Sequence, residues 1–444
     1  MPKITLIGAG SHVFSRNLIT DLLTFPELRA STISLMDINQ EKLELVEAFT
    51  RKLVKQQGFN TRTEATSDLT QALTDADYVI VSIRVGGFEA NSLDVETPAK
   101  YGVYQGVGDT IGAGGVFYGL RHVPVILNIC REMEDNCPEA LLLNYTNPMA
   151  ILTWAINDYT KIKNVGLCHS VVNTATELAR YLQAPLEELY YWVAGINHMA
   201  WFLELKLRGA DAYPLLRERF KDASVYSHPK AHWAGADIVR AKIFKIFGHF
   251  ITESSQHLSE YLPYFRRDSA LMEEYKLVYR LNWMKETTER RIKEEQKMKT
   301  LVAGDQRIPM ERSSEPCTYI IHSIETGVQR RINGNVKNNG LITNLPQECT
   351  VEVPCLVDGG GIHPCFVGEL PKQCAALNRT NVNVQDLAVK AAHERSKELT
   401  LQAILMDPLT SSILTLEETE EMVEEMFHAE RARAQSTFNM NQRS

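Results

Sequence analysis

Along the first part of the chain, apolar residues fall into short unbroken runs. Longer stretches separate them, in which apolar residues recur every three or four positions. The short runs cover residues 4–7, 32–36, 78–83, 141–145 and 165–167. Between them, residues 14–25 place Phe14, Leu18 and Leu22 at helical spacing, and residues 41–54 do the same with Leu43, Val46, Phe49 and Leu53. Residues 123–134 form a further helical stretch. Buried strands alternating with amphipathic helices predict a parallel sheet covered on both faces, an α/β doubly wound sheet of Rossmann type.

After residue 168 the pattern becomes mixed. Strands are predicted at 192–194, 201–207 and 351–357, and helices at 237–247, 284–298, 384–403 and 416–435. The last helix opens with the capping-box pair Thr415 and Glu418. The expected organisation is a dinucleotide-type domain over residues 1–167 and an α+β domain over 168–444. No internal repeat or low-complexity tract interrupts either.

Composition narrows the function. Hydrophobic residues make up 44% and charged residues 23% of the 444, which suits a globular protein with a sizeable core. Lys+Arg total 47 against 55 Asp+Glu, a net charge of −8, so no bulk attraction draws the chain to nucleic acid or anionic membrane. No apolar stretch is long enough to span a bilayer. The N-terminal residues lack the charged start and apolar core of a secretory signal. Eight cysteines without regular spacing make no disulfide framework. A reduced, cytoplasmic setting is expected.

Gly8-Ala9-Gly10-Ser11 follows the first strand and opens the first helix. Glycines there let the backbone approach a pyrophosphate, and the helix N-terminus presents N–H groups to it. Asp37 ends the second strand, where its carboxylate can accept hydrogen bonds from ribose hydroxyls and would repel a 2′-phosphate. This favours NAD over NADP. Val13 stands where a third glycine is usual, so the fingerprint is incomplete. A turn that needs glycine for its geometry alone is the competing reading.

Ligands of open parallel sheets bind at the carboxyl ends of strands. Asn147, Cys168-His169-Ser170 and Asn197-His198 all fall at such ends. A thiolate and an imidazole can share a divalent cation. Taken alone, Cys168 is more often a small buried apolar residue, and His198 a hydrogen-bonded core residue. Residues 106–115 are glycine-dense and read either as a flexible connector or as a loop that places Asp109. Residues 252–264 form a polar-aromatic patch. The four cysteines Cys349, Cys355, Cys365 and Cys374 match no common zinc spacing.

Read together, these motifs resemble glycoside hydrolase family four, the NAD- and metal-dependent glycosidases. The resemblance runs nearly end to end: Gly8 to Ser11, Asp37, Val85-Gly86-Gly87, Asn144 to Met149, Gly166 to Ser170 and Gly195 to His198. It continues through Asn335-Val336, Asn344-Leu345-Pro346, Asn378 to Asn381 and Met406-Asp407-Pro408. Cys168-His169-Ser170-Val171, Asn197 to Ala200 and Thr252 to Ser255 are most similar to its α-galactosidase branch.

The resemblance implies a fold akin to lactate and malate dehydrogenases and a particular chemistry. NAD⁺ removes a hydride from C3 of the sugar. The 3-ketone acidifies the C2 proton, a base takes it, and the C1 substituent leaves. Water adds and the hydride returns, so the net reaction is hydrolysis. The same resemblance makes Cys168 and His198 ligands of Mn²⁺ or another divalent cation, and gives Asn147 and His198 contacts to the sugar. Val85 joins Gly8, Ala9, Gly10, Ser11 and Asp37 at the cofactor. Tyr261 takes the position of the C2 base, a role that calls for a depressed pKa or a nearby cation. His169 and Asp109 are the two candidates for the acid that protonates the leaving group. Asn91 stands where relatives that act on sugar 6-phosphates carry an Arg, and Glu89 next to it would repel a phosphate, although Arg84 remains. An unphosphorylated α-galactoside is the expected substrate, with an α-galacturonide or 6-phosphoglycoside as the rivals within the family. A homodimer or homotetramer is expected. Outside the family, a malate- or lactate-type dehydrogenase fits the domain order, but its Arg-bearing substrate loop and His–Asp pair are not both found. A sugar or NAD sensor would not need the Cys168–His198 pair.

Overall fold

The computed structural model describes residues 1–230, 235–313 and 315–441. Twelve strands form one sheet: β1 (Lys3–Ile7), β2 (Thr32–Met36), β3 (Arg62–Thr66), β4 (Tyr78–Val81), β5 (Leu141–Asn144), β6 (Asn164–Gly166), β7 (Leu189–Ile196), β8 (Met199–Leu207), β9 (Ala210–Asp211), β10 (Arg330–Lys337), β11 (Thr350–Asp358) and β12 (Gly361–Pro364). The spatial order is β3-β2-β1-β4-β5-β6-β10-β11-β7-β8-β9, with β12 beside β11. The first six strands are parallel in the doubly wound order, as expected. From β10 onward all pairings are antiparallel.

The seam between the halves is narrow. Asn335 of β10 pairs with Gly166 of β6 on one side and with Glu352 of β11 on the other. Glu352 in turn pairs with Gly195 of β7. The main hydrophobic core runs through this seam, from Ile4, Val81 and Leu143 to Val165, Val351 and Trp201. A smaller core lies beyond it around Phe202, Phe244 and Phe250.

Local sequence explains most element ends. The helix Gln40–Gln57 starts where Asn39 accepts a hydrogen bond from Lys42 N and stops at Gly58, whose φ is 68°. The helix Leu416–Asn441 opens with the expected reciprocal capping box, Thr415 N to Glu418 Oε2 at 2.8 Å and Glu418 N to Thr415 Oγ1 at 3.2 Å.

Three expectations need correction. The glycine-dense segment is not a loop throughout, because the buried helix Gly112–Asn136 begins inside it. The helix expected over 384–403 is two helices, Lys372–Glu394 and Lys397–Leu405, broken where Arg395 turns to φ 56° and Ser396 caps the second. The strands β3 and β10 carry too many polar residues to form an apolar run; pairing with their neighbours makes them strands, not their composition. All eight cysteines are free thiols. Among the described residues no helix is long and apolar enough to cross a membrane.

Candidate active site

Neighbouring parallel strands put their carboxyl ends along one edge, in the order β1, β4, β5, β6. The glycine turn follows β1, Val85 follows β4, Asn147 follows β5 and Cys168 follows β6. At ~4.8 Å per strand, three steps separate the glycine turn from Cys168 by ~14 Å. A nicotinamide riboside and a sugar ring would fill that span.

At the β1 end of this edge, the glycine turn and Asp37 pack together. Gly8 has φ 85°, and a Cβ there would lie 2.1 Å from Ser82 O, so the turn is tight against β4 and only glycine fits. Gly8 N and Ala9 N donate to Met36 O, at 2.9 and 3.0 Å. Asp37 comes to the turn: Gly10 N donates to Asp37 Oδ2 at 2.7 Å, and Asn39 N to Oδ1 at 2.8 Å. Each oxygen keeps lone-pair capacity for a ribose hydroxyl. Ser11 is the N-cap residue of the helix His12–Thr24. Val85 N donates to buried His122 Nε2 at 2.9 Å, which fixes the second turn beside the first.

Cys168 and His198 do converge. Cys168 Sγ lies 3.2 Å from His198 Nε2. His198 sits in the two-residue connection between β7 and β8 at φ 63°, a left-handed conformation that aims its ring back at β6. Burial disfavours the Cys168 thiolate, but the adjacent imidazolium outweighs it and brings the thiol down to about 7. Burial likewise opposes charge on His198, and the thiolate overrides it, holding the imidazole up at about 10. Glu253 and His257 complete a group: donor atoms of His198, Glu253 and His257 lie within 4.8 Å of one another. Two imidazoles and a carboxylate gathered in this way, with the Cys168 thiolate against one of the imidazoles, fit a divalent cation.

Tyr261 is 1% exposed; its hydroxyl donates to Thr110 Oγ1 at 3.0 Å and lies 3.5 Å from His198 Nδ1. Thr110 Oγ1 is in turn 2.8 Å from His257 Nε2. Tyr261 is therefore at the site, but burial pushes its phenol well up rather than down. The depressed pKa its role calls for is not a property of the metal-free chain. His169 Nε2 lies 2.7 Å from Glu315 Oε2, and that hydrogen bond raises the imidazole despite its burial. Asp109 is 9% exposed, and its Oδ1 has no partner. Its loop is not flexible. Glu260 accepts from Val107 N and from Gly108 N, and a Cβ on Gly106 would lie 2.4 Å from Arg266 Nη2. Asn91 is buried on the helix Gly87–Lys100 with Nδ2 unpartnered. Asn147 is half-buried. Arg84 and Arg291 both stack on Phe88, at 4.5 and 4.4 Å from its centroid.

Sequence reading missed the roles of Glu253, His257, Glu315 and Glu352. The first two both lay in the polar-aromatic patch, and Glu253 also in the Thr252 to Ser255 motif, but neither was read as a donor. A glutamate inside the apolar strand over 351–357 was the available signal for the last.

A doubly wound sheet with a dinucleotide turn at one end of its ligand edge and a thiolate–imidazole pair at the other defines a nucleotide-dependent enzyme class with a cation site. The comparisons narrow that class. Residues 3–184 match the family 4 glycosyl hydrolase model, and residues 193–410 match the family 4 glycosyl hydrolase C-terminal domain. An α-galactosidase of Bacillus subtilis is 40% identical over 432 residues, covering 97% of this chain and 98% of its own. The crystal structure of lplD from Bacillus subtilis superposes with a TM-score of 0.87 at 28% identity, covering 96% of this chain and 99% of that one. A 6-phospho-β-glucosidase of Thermotoga maritima, solved with manganese, NAD⁺ and glucose-6-phosphate, shares the fold at 24% identity and a TM-score of 0.78, over 97% of this chain and 99% of its own. The chain belongs to family 4 of the glycosyl hydrolases.

Proposed function

We propose that this protein is an α-galactosidase that uses NAD⁺ and a divalent cation, Mn²⁺ or a similar ion. Residues 1–167 carry the dinucleotide, and 168–444 supply most of the cation and sugar contacts. The observation that carries the reading is the 3.2 Å approach of Cys168 Sγ to His198 Nε2 at the ligand edge, with the Tyr261 hydroxyl beside them. When bound, NAD⁺ supplies a hydride acceptor for C3 and the cation polarises the oxygens at C2 and C3.

Gly8, Ala9, Gly10 and Ser11 would hold the pyrophosphate, Asp37 the adenosine ribose and Val85 the nicotinamide side of the cleft. Cys168 and His198 would hold the cation, with Asn147 on the adjacent sugar hydroxyls. Tyr261 takes the C2 proton; Thr110 and His198 orient its oxygen. His169, whose imidazole the Glu315 hydrogen bond raises, gives a proton to the leaving oxygen, and Asp109 is the second candidate for that step. Asn91 in place of a guanidinium supports an unphosphorylated sugar. The Arg84–Arg291 pair on Phe88 favours an anionic sugar instead, and an α-galacturonide is therefore the second reading.

The test is release of a chromogenic aglycone from α- and β-galactosides, α-galacturonides and 6-phosphoglycosides. The α-galactoside should be cleaved, only with NAD⁺ and Mn²⁺ present, without net NADH. Cleavage that survives removal of both would overturn the proposal, as would steady NADH formation. Tyr261→Phe should slow exchange of the C2 proton with solvent deuterium; unchanged exchange would move the base elsewhere.

A further inference from the structure

The seam of the sheet holds a row of residues that this reaction does not use. Across β6, β10, β11 and β7 the register reads Gly166, Asn335, Glu352, Gly195. Cys168 follows Gly166 by two positions, and His198 follows Gly195 by three. Asn335 and Glu352 thus stand between the two strands that deliver the cation pair.

Glu352 is 0% exposed, and neither of its carboxylate oxygens has a hydrogen-bond partner. Asn335 Oδ1 and Asn197 Nδ2, both buried, are unpartnered as well. Besides burial, the groups that act on Glu352 are Cys168, His198, the Asn197 side chain and Glu253. A buried carboxylate without donors is disfavoured, so a chain that carries one in its main sheet is balancing it against something else. Among the described residues, the charged groups that act on it most, Cys168, His198 and Glu253, belong to the cation site. Among the described residues, the compact donor group is His198, Glu253 and His257; Cys168 joins it through its 3.2 Å contact with His198 Nε2, and Glu352 makes no such contact, so it stands outside direct ligation.

We propose that Glu352 is a positioning residue of the cation site, a fixed acidic side chain behind Cys168 and His198 that a divalent cation offsets. Its place is set by sheet register rather than by a loop, so it cannot swing away when the site is empty. Burial disfavours charge on this carboxyl in the metal-free protein, and a bound cation offsets that cost. The arrangement trades metal-free stability for cation affinity. The inference rests on the reading that Cys168 and His198 hold a cation.

The experiment uses the full-length chain with NAD⁺ present and metal removed by chelation. Mn²⁺ affinity is measured by titration calorimetry, and thermal midpoints are taken with and without Mn²⁺. E352Q keeps shape and removes the acid. It should bind Mn²⁺ roughly 10–100-fold more weakly, the range for residues that support metal ligands. Its metal-free midpoint should equal or exceed that of the wild type, and the rise on adding Mn²⁺ should shrink. E352D should recover part of the lost affinity. An unchanged Kd in E352Q overturns the proposal. So does a lower metal-free midpoint, which would make the residue structural. If E352Q does not fold, E352D carries the test alone: its shorter reach should weaken Mn²⁺ at least threefold with the fold retained, and an unchanged Kd overturns the proposal. A wild-type chain that binds no Mn²⁺ would instead overturn the proposed function.

Discussion

His198 shows how one side chain is aimed by its backbone. Its left-handed φ of 63° is unusual for a residue with a Cβ, and the β7–β8 connection holds it there so that Nε2 faces Cys168. Replacing the sulfur should therefore break the site without breaking the fold. Cys168→Ser should lose more activity than the roughly 10–100-fold that outer-sphere partners are worth, with a thermal midpoint near that of the wild type. Kinetics and a melting curve on the same preparation check this. Asp407 gives a second residue-scale prediction. It is fully buried, and its Oδ2 accepts from Thr410 N and Oγ1, each at 2.7 Å. Burial pushes it up from the usual aspartate value of 3.8 to about 6, against those hydrogen bonds. The folded protein thus holds this proton more tightly than the unfolded chain. Its contribution to stability is present below about 3.8 and is lost as pH rises through about 6. Asp407→Asn should remove that decline, worth up to about 3 kcal/mol. Urea unfolding at pH 4 and pH 7 should show a smaller difference for the variant.

At the scale of elements, the motifs around the site mostly hold other motifs in place. Asn378, on the helix Lys372–Glu394, accepts from Trp201 Nε1 at 2.9 Å and donates to Met199 O at 2.7 Å, clamping the β7–β8 hairpin. Asn381 on the same helix donates to Tyr261 O at 3.1 Å. The segment bearing Glu253 and His257 is anchored through Ser255, whose Oγ donates to Asp237 Oδ1 at 2.8 Å. Asp237 also pairs in two places with fully buried Arg240, which reaches Glu177 at 2.5 Å. Removing one partner of such a cluster strands the remaining charges. Arg240→Met should cost about 3–5 kcal/mol in a denaturant titration. A loss below about 1 kcal/mol would show that the carboxylates find other partners.

For the whole molecule, the continuous sheet makes the two halves depend on each other. β6 meets β10 through the Asn335–Gly166 pair, and the main core crosses the seam. The helix Arg280–Ala303 also returns to the dinucleotide half, where Lys52 Nζ donates to Leu301 O at 2.6 Å. A fragment ending at residue 167 would expose the β6 edge and the core face beneath it. It should fail to give a cooperative thermal transition, whereas the full chain should melt with coincident far-ultraviolet and fluorescence signals. A fragment that folds cooperatively by itself would mean the seam contributes little.

Local pattern was enough for five of the six parallel strands, because strands buried on both faces must be apolar and crossover helices must be amphipathic. It also announced the glycine turn and Asp37, whose partnership spans only one βαβ step. Polar strands such as β3 and β10 escaped it, since they become strands only by pairing. The same holds for the inner shape of the site. Thr110, His198, His257 and Tyr261 come from distant segments, and Glu315 meets His169 across 146 positions. The chain alone determined where those parallel strands and the glycine turn fall and which side chains stand at strand ends. Folding decided which of those side chains meet and how burial sets their charge, because both depend on contacts between segments that no local pattern relates.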